Sequence, residues 1–354
     1  MTEAILLVGG QGTRLRPLTE RTPKPMLSIA GAPITQHQLV KARDAGVDRI
    51  ILATSYLAEV FEPYFADGSE FGVELIYAIE ETPLGTGGAI ANAARYLQSE
   101  ENAPIIVFNG DVLSGHDLAA QIRQHIKTDA DLTLYLTEVE DARAYGCVPS
   151  DAEGRVTAFL EKMPEPITNR INAGCYVFRR SIIAQIPLDR VVSVERETFP
   201  QLLASGANVR AFIDTSYWID LGTSQALVTG SQDLVLGAVA SSAVATVTAE
   251  ALIGPRAIVH PSAQIDGGST IGSDCKIGAH ARVNGSVLLD DVEVGAGAQI
   301  LKSYVGKGVW IGTEARLEGA AIGDQAVIGA GARIEPDAKV EYGEHIASGA
   351  VVVA

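Results

Sequence analysis

Cysteine is scarce in this chain of 354 residues. Cys147, Cys175 and Cys275 are odd in number, widely separated and without any Cys-x-x-Cys. That excludes a disulfide-stapled scaffold and a cysteine-rich zinc module, and it fits reduced core thiols in the cytoplasm. Basic residues are also short, 27 Lys and Arg against 43 Asp and Glu, for a formal charge of −16. Nucleic acid and anionic membranes both need a basic face, so neither is an expected partner. No apolar run approaches the ~20 residues of a membrane span, and Met1-Thr2-Glu3 lacks the basic start of a signal peptide. Aromatic residues make up only 6%. With so acidic a balance, any cation beside an anionic substrate must be placed locally.

What is abundant is glycine, 36 residues, and the first of them lie in the most informative stretch. Ala4-Ile5-Leu6-Leu7-Val8 runs into Gly9-Gly10-Gln11-Gly12-Thr13-Arg14-Leu15-Arg16-Pro17, and Thr22-Pro23-Lys24-Pro25-Met26 follows. A short apolar run bounded by glycines reads as a buried parallel strand whose loop can turn sharply and approach a ligand closely. Backbone amides together with Arg14, Arg16 and Lys24 suit a polyphosphate. The P-loop pattern is absent, and the dinucleotide pattern fails because Leu15 stands where its third glycine belongs.

Over residues 1–230 apolar runs alternate with amphipathic stretches. Residues 50–54, 74–78, 104–108, 132–136 and 173–178 read as strands, and Thr35 to Ala45 reads as a helix ended by Gly46. This alternation predicts an α/β domain with a mostly parallel, Rossmann-like sheet. Ligands of such sheets bind beyond the carboxyl ends of the strands, where Gly9 and Asp111 both fall. Residues 231–250 are small and repetitive and read as a linker or short helix. From Ile253 a hexad begins: Ile253, Val259, Ile265, Ile271, Ile277 and Val283 are six apart. The register slips by one before Leu288, again before Val305 and again before Ile322, so residues 271, 288, 305 and 322 are each 17 apart. Branched residues at this period fill the interior of a three-sided coil. Small ones such as Ala281, Ala298 and Ala315 fit its corners, and glycines such as Gly272 and Gly295 allow its tight turns. Residues 251–354 are therefore expected to form about five coils.

Residues 9–26 resemble the signature Gly-Gly-x-Gly-Thr-Arg-Leu-x-Pro-Leu-Thr…Pro-Lys-Pro of the sugar-nucleotide pyrophosphorylases, the sugar-1-phosphate nucleotidyltransferases. The hexads resemble the hexapeptide-repeat left-handed parallel β-helix. The resemblance implies an enzyme that joins a nucleoside triphosphate to a sugar 1-phosphate and releases pyrophosphate. It implies that Val8, Gly9, Gly10, Gly12, Thr13, Arg14, Glu80, Gly85 and Asp111 bind the nucleotide, with Arg14 and the 10–13 amides on the triphosphate. Lys24 then neutralises charge at the α-phosphate, and Lys24, Gly146, Glu161, Lys162 and Asn172 hold the sugar phosphate. By the same resemblance Asp111 and Asp220 are expected to hold Mg²⁺, which prefers oxygen ligands. The resemblance makes Arg14, Lys24, Asp111 and Asp220 the expected catalytic set. Where the family has Glu-Lys-Pro, this chain reads Glu161-Lys162-Met163-Pro164.

Glu80 precedes Thr82-Pro83-Leu84-Gly85-Thr86-Gly87-Gly88, the base-binding stretch by resemblance. A carboxylate only accepts hydrogen bonds, which complements the N1–H and N2 amine of guanine. Residues 194–200 and 218–222 look most like the mannose-1-phosphate guanylyltransferases, implying GTP and mannose 1-phosphate. Glucose-1-phosphate thymidylyl- or uridylyltransferase is the neighbouring alternative. A β-helix acetyltransferase using His260, His280 or His345 and a non-catalytic regulatory subunit are weaker readings, because five coils are few and Arg14, Lys24 and Lys162 are all retained. The flat faces of the β-helix, and its last coil at 351–353, suggest a homo-oligomer.

Overall fold

In a computed structural model all residues are described except 11, 56, 189 and 245–249. The amide of Gln11 and part of the expected linker thus lie outside the described residues. The chain divides into two compact units that interleave in sequence. One comprises residues 1–10 and 38–218, the other residues 11–37 and 219–354.

In the first unit the apolar runs become strands because they are buried from both sides. Glu74–Ile79, Arg49–Thr54, Glu3–Leu7 and Pro104–Asn109 lie side by side and parallel. Ile5 sits in register with Ile51 and Val107, and all three are fully buried. The helix Gly85–Ala94 covers the Glu3–Leu7 and Arg49–Thr54 strands. Beyond this parallel core the sheet becomes mixed. Arg170–Arg179 runs antiparallel to both Pro104–Asn109 and Leu132–Glu138. Val209–Ile213 then adds parallel to Leu132–Glu138. The helix expected at 35–45 spans Ile34–Asp44, and Gly46 follows at φ 88° as its left-handed stop.

Leu118–Lys127 packs against Leu132–Glu138 and encloses two histidines. Its start is capped by Asp117, which accepts from the Ala120 amide at 2.8 Å. His116 stacks on Tyr135 with ring centroids 3.9 Å apart, and His125 Nδ1 lies 2.9 Å from Thr133 Oγ1. Burial, helped by the neighbouring Lys41 and Arg179 charges, pushes the two imidazoles down to about 3 and about 4 respectively. In the unfolded chain they titrate near ~6.5. Above that pH both states are neutral and nothing is gained or lost. As pH falls from ~6.5 toward 4 the unfolded chain binds protons that the folded one refuses, so stability drops. The urea midpoint should therefore fall between pH 7 and pH 5, and it should fall less in a His125→Gln variant. A midpoint that is flat over that interval would refute this.

In the second unit three parallel sheets of six strands each close into a β-helix, counted among the described residues. The expected five coils are six. Ala251–Ile253, Ile258–Val259 and Gln264–Asp266 form the first, although Ile253 is still 44% exposed. A terminal coil has a neighbour on one side only, which weakens the burial signal there. The hexad residues of the inner coils, from Ile271 to Val340, are all buried. The glycines following them are needed for room rather than for unusual φ. A Cβ on Gly272 would lie 2.5 Å from the Leu289 carbonyl carbon of the next coil. The helix Ser224–Val235, capped by Thr223 Oγ1 accepting from the Ala226 amide at 3.1 Å, crosses the expected boundary at 230. It packs on the β-helix strands Ser269–Ile271 and Tyr304–Val305. Among the described residues, no helix is long and apolar enough to cross a membrane.

Candidate active site

In the first unit the expected nucleotide residues follow the carboxyl ends of the parallel strands. The Glu3–Leu7 strand ends in Val8, whose amide donates to Ala53 O at 3.0 Å. Gly9 turns away under Ser55, where an added Cβ would lie 2.8 Å from Ser55 Oγ. On the neighbouring strand end, the Gly110 amide donates to Leu7 O at 2.9 Å, which brings Asp111 beside the glycine loop. Gly110 has no room for a side chain, since its Cβ would meet Leu7 O at 2.5 Å. Two residues that the sequence reading passed over steady this segment. Gln38 Nε2 donates to Val112 O, and Lys41 Nζ donates to Ser114 O at 2.6 Å. Both project from one helix, three apart, so the signal was a polar pair on a helix face.

A cavity of about 210 Å³ opens between Gly9, Gly10, Ser55, Glu80, Gly85 and Thr86. Of the expected nucleotide residues of this unit, Gly9, Gly10, Glu80 and Gly85 line this hollow, while Val8 and Asp111 are not among its lining residues. Glu80 does more than face it: Glu80 Oε2 accepts from the Leu84 amide at 3.1 Å, closing the turn. Burial raises the Glu80 carboxyl above its ordinary range, and that amide pulls it partly back. Gly85 stands at φ 74°, and its Cβ would meet Val192 O at 2.6 Å. The glycine therefore answers to Val192 as well as to any ligand. Thr86 joins the segment 80–88 to the segment 194–200. Its Oγ1 donates to Glu195 Oε2 at 2.8 Å and accepts from the Val194 amide at 2.9 Å.

Of the expected sugar-phosphate residues, Gly146, Glu161, Lys162 and Asn172 lie on one ribbon of this unit, and Lys24 belongs to the second unit. Gly146 pairs with Glu161 across a short antiparallel ladder, and the Lys162 amide donates to Tyr145 O at 3.1 Å. Lys162 adopts φ 51° there, and its Nζ lies 3.7 Å from Glu161 Oε1. Ile171 pairs with Cys147, which brings Asn172 to the same ribbon. Asn172 Oδ1 accepts from the Gly174 amide at 3.2 Å while its Nδ2 donates to Tyr176 OH at 2.9 Å. Trp218 ties the loops together, its indole donating to Ala173 O at 3.0 Å and its ring edge-on to Tyr145 at 5.5 Å.

In the second unit the remaining residues form a cationic cluster. Gly12 stands at φ 57°, a Cβ there would lie 3.1 Å from both Lys24 Cβ and Thr19 Cγ2, and Thr19 Oγ1 donates to Gly12 O at 2.9 Å. That turn launches Thr13–Leu15 and holds the exposed Arg14 outward. Lys24 is only 8% exposed, fixed between Pro23 and Pro25, and its Nζ lies 3.7 Å from Asp220 Oδ1. Gly222 shows how close the groups are: a Cβ there would be 3.0 Å from Asp220 Oδ1 and 3.1 Å from Arg14 Nη2. Arg14, Lys24 and Asp220 therefore share one small region. An arginine fork, a buried ammonium and a carboxylate are the groups that bind phosphate oxygens and a hard cation. His260, His280 and His345 are exposed on the β-helix.

The chain is similar to known proteins over most of its length. The nucleotidyl transferase family model matches residues 3–235, and that of the GMPPB C-terminal domain matches residues 247–341. A mannose-1-phosphate guanylyltransferase of Mycobacterium tuberculosis is 50% identical over 299 residues, covering 84% of this chain and 82% of that one. A probable mannose-1-phosphate guanylyltransferase of Oryza sativa is 34% identical, covering 85% and 83%. The crystal structure of HddC from Yersinia pseudotuberculosis complexed with GMP-PN superposes with a TM-score of 0.57 at 32% identity. It covers 66% of this chain and 99% of its own. The chain belongs to the nucleotidyl transferase family of enzymes and carries a left-handed β-helix of the GMPPB C-terminal type.

Proposed function

We propose that the protein transfers the guanylyl group of GTP to mannose 1-phosphate, forming GDP-mannose and releasing pyrophosphate. A phosphate oxygen of the sugar attacks the α-phosphorus in line, and the bond to the β-phosphate oxygen breaks. The nucleophile is already an anion, so no general base is required. What the protein must do is hold two mutually repelling anions in line and screen them. The cluster of Arg14 and Lys24 around Asp220 is the observation that carries this reading, because it concentrates fixed cations on a chain of net charge −16. Arg14 and the glycine-loop amides take the triphosphate, and Lys24 takes the charge that builds on the α-phosphate. Lys162, Glu161, Gly146 and Asn172 anchor the sugar phosphate. Glu80 and Gly85 face the base.

A divalent ion suits this donor set, since carboxylates are the hard oxygen ligands it favours. Asp111 and Asp220 would hold it, Mg²⁺ by our reading, and when bound it supplies charge neutralisation on the phosphate oxygens. We assign catalysis to residues 1–230 and connection to 231–250. The β-helix of residues 251–354 provides support and self-association into a homo-oligomer. The names of the relatives support the choice of GTP and mannose, and three widely spaced buried thiols support a cytoplasmic setting.

The test is pyrophosphate release by purified protein over a panel of nucleoside triphosphates and sugar 1-phosphates. GTP with mannose 1-phosphate should give the highest kcat/KM. A better pair involving dTTP or UTP with glucose 1-phosphate would overturn the specificity while leaving the reaction class intact.

A further inference from the structure

The loop that carries Arg14 is gripped from the far end of the β-helix. Lys339 opens the last strand of one face, Lys339–Val340, and its Nζ donates to the backbone carbonyl of Arg14 at 3.3 Å. Three residues on, the Tyr342 ring lies under the Arg21 guanidinium, whose carbon is 3.8 Å from the ring centroid. Tyr342 is itself steadied by its neighbour coil, its hydroxyl donating to Gln325 Oε1 at 2.5 Å. Between these points Glu341 faces Glu20. Residues 14 and 21 thus have partners at both ends of the same loop, and all of those partners come from 325 residues or so further along the chain.

These contacts are not needed to build either element. The β-helix coil is complete through its ladder from Ala321–Ile322 to Lys339–Val340. The loop closes on itself through Leu15 N to Gly12 O at 2.9 Å and Leu18 N to Leu15 O at 2.9 Å. What the added contacts do is fix where the loop sits relative to the coil. An Arg side chain that recognises phosphate gains its geometric selectivity only if its backbone is held still.

We propose that Lys339 and Tyr342 are positioning residues for nucleotide binding, acting through the loop that carries Arg14. The proposal rests on the assignment of Arg14 to the triphosphate. A cation–π pair at an exposed site contributes ~0.5–1 kcal/mol, and an exposed charged donor to a carbonyl contributes a similar amount. Each single loss should therefore raise KM for the nucleotide about two- to fivefold, and the two together about tenfold.

The experiment compares Tyr342→Leu, Tyr342→Phe, Lys339→Met, the Tyr342→Leu/Lys339→Met pair and Arg14→Ala in the full-length protein, with KM for each substrate and kcat measured separately. Tyr342→Leu and Lys339→Met should raise KM for the nucleotide, with KM for the sugar phosphate and kcat within twofold of wild type. Tyr342→Phe keeps the ring under Arg21 and loses only the hydroxyl bond to Gln325, so its nucleotide KM should stay within twofold of wild type, below that of Tyr342→Leu. A purely structural role would lower the amount of active enzyme without this split and would not distinguish Phe from Leu. If Arg14→Ala raises the nucleotide KM while the double variant leaves it unchanged, the proposal fails and the assignment of Arg14 stands. If Arg14→Ala itself leaves that KM unchanged, both fall. Circular dichroism melts confirm that each variant is folded, because both side chains lie at the surface of a coil whose interior they do not enter.

Discussion

Replacing Lys24 by Met is expected to lower kcat by about 10²- to 10³-fold, the cost of removing one preorganised group from the charge that develops in a transition state. The size follows from the surroundings. Lys24 is 8% exposed, its Nζ is 3.7 Å from Asp220 Oδ1, and the proline on each side leaves its backbone little freedom. A group so placed costs no reorganisation at the moment of reaction. With an anionic nucleophile and no acid–base step, electrostatic alignment carries most of the catalysis. Met has nearly the reach of Lys without its charge, so the packing between Pro23 and Pro25 should survive and a thermal melt should change little. Lys24→Arg keeps the charge but replaces a compact ammonium with a planar fork, and should recover only part of the rate. Because Lys24 and Asp220 are partners, Asp220→Asn combined with Lys24→Met should fall short of the product of the single effects. Turnover within threefold of wild type for Lys24→Met would remove Lys24 from the mechanism.

The parts of this molecule that could be read from its sequence are those where a short window decides the outcome. The hexads were legible because each coil interior accepts one branched side chain per face, so Ile271, Ile277 and Val283 had nowhere else to point. The glycine loop and Asp111 were legible because each follows directly on an apolar strand. The antiparallel entry of Arg170–Arg179 was not, since a strand buried on both faces looks the same in either direction. Gly85 shows a subtler limit. Its role beside a ligand can be argued from the motif, but the Val192 carbonyl that forbids a side chain there is 107 residues away. Trp218 is similar, for nothing local ties its indole to Ala173. The largest feature hidden from the sequence is the partition itself. Residues 11–37, the heart of the signature, belong to the same compact unit as the β-helix.

That partition leads to the second large effect, the removal of the β-helix. A chain ending at residue 236 contains the whole of the matched transferase segment, and HddC aligns over 99% of its length to 66% of this chain. By sequence such a fragment is a complete domain. Its contacts say otherwise. The hairpin Ser28–Ile29 and Ala32–Pro33 that follows Lys24 is held by Tyr304, whose hydroxyl donates to Ser28 O at 2.9 Å, and by Leu252, whose Cδ2 reaches within 3.0 Å of where a Gly31 Cβ would lie. Ser231 Oγ accepts from the Ala30 amide at 2.9 Å and meets Thr270 Oγ1 at 3.1 Å. Leu227, Val228, Leu234 and Val235 share that buried helix, which rests on the Ser269–Ile271 and Tyr304–Val305 strands. Uncovering several such side chains at ~1.5–3 kcal/mol each is comparable with the ~5–15 kcal/mol that stabilises a whole domain. The truncated chain should therefore melt at least ~10 °C below the full chain, or without cooperativity, and its nucleotidyl transfer should fall with it. Tyr304→Phe in the intact chain isolates one strand of this argument. It keeps the ring and strands the Ser28 carbonyl, and should cost about 1–3 kcal/mol in urea unfolding. A fragment of residues 1–236 that melts cooperatively near the full-length temperature and turns over at the wild-type rate would show the β-helix to be dispensable. The lysine turn would then have to be held by the transferase segment alone.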